Sequence, residues 1–152
     1  MAWWDELGLG IRVTKDAAAL AIDPSPGEPF FTVAGGLVRL TGLLGYCTVA
    51  PGAGNNCQFT LDPDAAGGAI TVLSLALDIT ASTAGDILTI TGDPGDAMLG
   101  GHVARHVMMN SAPGGVVLTP GALGFIADAA LGTFRWVIWY KPIDDGATVV
   151  VI

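Results

Sequence analysis

The sequence predicts an all-β fold, an antiparallel sandwich or barrel-like domain of about eight to nine short strands preceded by an N-terminal arm. Three observations carry that expectation. From Pro29 onward, segments rich in Val, Ile, Leu, Thr and aromatics recur at short intervals. The stretches between them are built from turn formers, and the chain holds 22 Gly and 9 Pro among 152 residues. Finally, Phe134–Lys141 alternates with the two-residue period of a strand. At this length one domain is the simplest reading, because a chain of this size buries roughly 68–70% of its unfolded surface around a single core.

Residues 1–22 read as the arm and 23–152 as the domain. The arm carries Trp3, Trp4, Arg12 and Lys15 and ends in an Ala-rich run before PSPGEP, a cluster of prolines that disfavours helix. Strands are expected in FFTVAGG (30–36), LVRLTGLLGYCTVA (37–50), CQFTL (57–61), AITVLSLALDIT (69–80) and DILTITG (86–92). GVVLT (115–119), ALGFIA (122–127), FRWVIWYK (134–141) and TVVVI (148–152) complete the set. Gly92–Asn110 fits either a short helix or an irregular strand.

Within FRWVIWYK, Phe134, Trp136, Ile138 and Tyr140 share one wholly apolar face that belongs in the core. Arg135, Val137, Trp139 and Lys141 share the other, a mixture suited to an inter-subunit surface. IDDG (143–146) reads as a tight turn with Gly146 at positive φ. The closing strand Val149, Val150, Val151, Ile152 has no polar alternation, as in strands covered on both faces. Together with the Val137/Trp139 face it is the expected subunit interface.

Composition points the same way. Hydrophobic residues make up 51% of the chain and charged ones 13%, about half the usual share. That leaves more apolar surface than a lone monomer hides, so a homo-oligomer is expected. A net charge of −8 argues against nucleic acid, which needs cations for its phosphates, and against an anionic membrane surface. MAWWDELGLG places acids where a secretory leader is basic, so no export signal is read there. The uncharged windows Thr41–Leu61 and Val107–Ala127 are broken by PGAGNN, APGG and TPG, and read as strand–turn–strand.

Chemical motifs are sparse. His102 and His106 have a zinc-compatible spacing without further ligands, and read as an ordinary polar pair. Cys47 and Cys57 flank TVAPGAGNN and would face each other across a hairpin. They suit either a disulfide or two buried reduced thiols, structural in both cases. Asp62/Asp64, Asp93/Asp96 and Asp144/Asp145 sit beside Gly or Pro, where Asp builds turns, and lack a calcium-loop pattern. No serine lies in a nucleophile elbow, and neither a phosphate loop nor a dinucleotide fingerprint is present. The expectation is a non-enzyme with no catalytic residues, cofactor or metal.

WDELG (4–8), TKD (14–16), ITGDPGDAMLGG (90–101) and WVIWYKPIDDGATV (136–149) form an order that resembles small capsid decoration, or cement, proteins of tailed bacteriophages. The resemblance implies a β-rich protein made in the host cytoplasm and carried on the capsid exterior, often as a trimer, with the major capsid protein as partner. On that reading Trp3, Trp4, Arg12 and Lys15 contact the capsid, since Trp and Arg dominate interface energetics. Two other classes compete. One is a tail or fibre-base virion component. The other is a carbohydrate-binding β-sandwich with Trp139 as its sugar platform.

Overall fold

A computed structural model describes residues 8–19, 28–103, 109 and 114–152. The described chain is all-β and contains no helix. Its strands are β1 (Ile11–Ala19), β2 (Glu28–Ala34), β3 (Val38–Val49), β4 (Asn56–Pro63), β5 (Thr71–Val72) and β6 (Leu77–Asp78). After these come β7 (Asp86–Thr89), β8 (Leu99–Val103), β9 (Val116–Leu118), β10 (Gly121–Ala127), β11 (Thr133–Pro142) and β12 (Thr148–Val151).

Two antiparallel sheets form a sandwich rather than a closed barrel. The first runs β1–β11–β3–β7–β8, with β9 sharing the free edge of β3 with β7. The second runs β12–β2–β10–β4, with β5 and β6 one after the other along β4. One flank is laced where the two sheets approach. There Leu75 forms a parallel bridge to Ala97, with Leu75 N–H on the Asp96 carbonyl at 2.7 Å and Met98 N–H on the Leu75 carbonyl at 3.2 Å.

The expected core face of β11 is borne out, with Phe134, Trp136, Ile138 and Tyr140 all buried. Trp136 lies at the centre of an aromatic layer drawn from both sheets. Its ring is 4.9 Å from Phe125 and 5.0 Å from Phe59, the latter edge-on, with Phe30 and Phe134 completing the group. Edge-to-face and tilted contacts of this kind suit the ring quadrupoles. Such a layer fills the roughly 10 Å between packed sheets.

The strand count is higher than expected, for three reasons. Ile11–Ala19, inside the expected arm, pairs with β11 from Ile11–Tyr140 to Ala19–Thr133. Its alternation is masked in the sequence because Lys15 occupies an inward position and the Ala run carries little periodic signal. AITVLSLALDIT forms only the short β5 and β6, because between them the chain leaves β4 to make the Leu75 bridge to the other sheet. Leu99–Val103 forms β8, which pairs with β7.

The two turns expected to close hairpins instead carry the chain from one sheet to the other. TVAPGAGNN joins β3 of the first sheet to β4 of the second, and IDDG joins β11 to β12 in the same sense. Gly146 does have the expected positive φ, at 84°. Asp144 gives the IDDG turn its anchor. Its carboxylate accepts the Leu37 N–H at 2.7 Å, while Ile143 N–H donates to the Leu37 carbonyl at 2.9 Å.

Asn55 holds the other crossing. It is buried, its Nδ2 donates to the Ala129 and Leu131 carbonyls at 3.0 and 3.3 Å, and its Oδ1 accepts the Ala129 N–H at 3.2 Å. Its own N–H reaches Thr80 Oγ1 at 3.0 Å. Asn55→Leu keeps the branch at Cγ but leaves three partly buried backbone groups without their side-chain partner, so a loss of about 1 kcal/mol is expected in urea unfolding. An unchanged midpoint would show that the crossing does not depend on this side chain.

Candidate functional site

No convergent chemical centre is found among the described residues, where no group of three or more His, Cys, Asp or Glu could hold a metal ion. The acids flanking turns build those turns. Asp93 Oδ1 accepts the Gly95 N–H at 2.8 Å, and Thr91 Oγ1 donates to Asp96 Oδ2 at 2.8 Å. His102 lies on β8 opposite Ile87, and His106 falls outside the described residues. No described helix is long and apolar enough to cross a membrane.

The cysteines are free thiols, buried on opposite sheets, Cys47 on β3 and Cys57 on β4. The hairpin expected between them is not formed. Burial, and then Asp128 and Asp78, push the Cys57 thiol far up, while burial and Asp86 raise Cys47. A raised thiol pKa favours the neutral folded form. Its contribution is therefore complete below the unfolded value of about 8.5 and is lost progressively as pH rises above it. Both thiols are expected to resist iodoacetamide at pH 8 in the native protein and to react after unfolding. Rapid native alkylation of Cys57 would contradict this burial.

The features that face outward are an edge and a face. β12 is the terminal strand of the second sheet, paired through Thr148–Ala34 to Val151–Phe31, and its outer edge has no strand partner among the described residues. The expected subunit interface divides here. Val149 is buried in the protomer's own core, whereas Val150, Val151 and Ile152 are 50, 43 and 55% exposed. Val137 is only 7% exposed and Trp139 is half-buried, so that part of the expected interface offers less apolar area than its composition suggests.

Lys15 lies beside this edge. Its Nζ donates to the Ile152 carbonyl at 2.7 Å and lies 5.4 Å from the centre of the Phe30 ring. A long cationic side chain that lays its stem on the core and its head on a backbone acceptor ties β1 of one sheet to β12 of the other. Lys15 thus has an internal role. Arg12 is exposed and stands opposite Trp139 in register. Trp3 and Trp4 lie outside the described residues.

The outward face of the first sheet carries Arg12 on β1, Arg135 and Lys141 on β11, and Arg39 on β3. Arg135 stacks over the exposed Tyr46 opposite it, 5.9 Å from the ring centre. Edge exposure and this clustering of cations are not readable from composition, because both depend on strand order. No protein-family model, curated protein or solved structure matches the chain.

Proposed function

We propose that the protein is a non-enzymatic structural component of a phage virion, which binds the outside of the capsid as a homo-oligomer, with three copies the expected number. The observation that carries the binding role is β12, an apolar edge strand with three exposed aliphatic side chains on a sheet that can still accept a neighbour. Such edges invite pairing with another chain. The virion setting rests on the resemblance. Two of its stretches, Thr14–Asp16 and Trp136–Val149, meet in space, since Thr14 pairs with Val137 and Lys15 with Trp136.

The test mixes the purified protein with expanded phage heads lacking it and measures what co-sediments. Saturable binding at a fixed ratio to the major shell protein supports the reading, and no binding by an intact oligomer overturns it. A second measurement addresses the edge. Val151→Lys places a charge at the open strand, the device by which natural edges block pairing. It is expected to shift the protein to smaller species in sedimentation velocity while leaving thermal stability nearly unchanged. An unaltered oligomer would place subunit contact elsewhere.

A further inference from the structure

We infer that the outward face of the β1–β11–β3 layer is a docking surface for an acidic protein partner. The chain has six basic residues and a net charge of −8, yet Arg12, Arg39, Arg135 and Lys141 lie on this one face. Among the described carboxylates, Asp16 lies at the β1 bulge beside it and Asp144 and Asp145 lie in the turn that follows Lys141, while the others sit in the second sheet or in turns elsewhere, or, like Asp86, are buried. The described cations other than Lys15 are thus gathered on one face.

Register sharpens the argument. Lys141 stands directly opposite Arg39 on adjacent strands, and among the described residues no carboxylate pairs with either. Like charges directly opposite each other destabilise a sheet. A protein with so few charges that places two cations there has a surface better matched to an outside anion than to its own fold. Half-buried Trp139 lies between Arg135 and Lys141 on the same face, with Tyr46 under Arg135. Tryptophan, tyrosine and arginine are the residues that most often anchor protein interfaces.

A protein surface fits this face better than a nucleic acid. Apolar Val117, opposite Arg39 on β9, is well exposed beside the cations and offers nothing to phosphates. At about 0.15 M salt the Debye length is roughly 8 Å. A partner of limited size then responds to the local cations, whereas an extended polyanion also meets the acidic remainder of the molecule. The inference does not depend on the virion reading, since it concerns only what the face can bind.

The experiment is a backbone amide NMR titration of the full chain with hexa-L-glutamate at that salt, repeated with oligo-dT. Saturable shifts centred on Arg39, Tyr46, Trp139 and Lys141 are expected with hexa-L-glutamate. Binding should weaken about fivefold in R135E/K141E, as removal of two exposed ion pairs implies. Shifts centred elsewhere, no shifts, or binding unaffected by the charge reversal would overturn the inference, and so would tighter binding of oligo-dT. Should the reversal variant lose the dispersed spectrum of a folded chain, R39Q/K141Q, which adds no opposite charge, makes the same comparison.

Discussion

Trp136→Ala is expected to destabilise the domain by about 4 kcal/mol, in the range found when buried tryptophan or phenylalanine is truncated. The indole is fully buried and touches aromatic rings contributed by both sheets, so its removal opens a cavity at the point where the two layers meet. A close-packed interior relaxes only partly around such a cavity. Trp136→Phe makes the sharper measurement. The indole Nε1 is buried without a hydrogen-bond partner among the described residues, so phenylalanine removes an unmet donor as well as ring area. Unmet buried donors cost about 1–3 kcal/mol, which offsets much of the lost packing. The loss in Trp136→Phe is thus expected to be less than half of that in Trp136→Ala, read from urea unfolding midpoints at constant slope. Equal losses would show that the indole nitrogen contributes favourably.

The second large effect is expected at Gly45, the residue opposite Trp136 on β3. A Cβ built there lies 2.2 Å from the indole Cζ3 and within 2.7 Å of two further ring carbons. The ring is held on its other sides by phenylalanines and cannot swing away. Gly45→Ala is therefore expected to cost about 3 kcal/mol by overpacking, although alanine in a strand otherwise costs less backbone entropy than glycine. The cause can be isolated by combining the two changes. With Trp136→Ala in place the clash disappears, so adding Gly45→Ala should cost little. Additive losses would mean that the glycine is needed for its backbone and not for the ring.

This pair also shows what could be read before the fold was known. The period of two in Phe134–Lys141 identified which side of the strand is buried, and Trp136 is where that pattern places it. That Gly45 makes room for it could not be read, because the two residues are ninety-one positions apart and meet only through the β3–β11 register. The aliphatic tail is similar. Its character as a strand was evident, but the sequence alone suggested cover on both sides, whereas only Val149 is enclosed by the protomer. Lys15 reads in the sequence as an outward contact residue, whereas its bond to Ile152 links positions 137 residues apart.

What the sequence by itself determined is the class of fold and the inward face of its longest apolar strands, since both follow from local periodicity and from turn chemistry at Gly and Pro. Only the tertiary structure decided where each turn leads. The same Gly, Pro and Asp residues close a hairpin within one sheet or carry the chain across to the other, as at TVAPGAGNN and IDDG, and local chemistry is alike in the two cases. From those crossings come the separation of Cys47 from Cys57, the open edge of β12 and the gathering of cations on one face. Each is a property of strand order, which is set by how two sheets bury one aromatic core together.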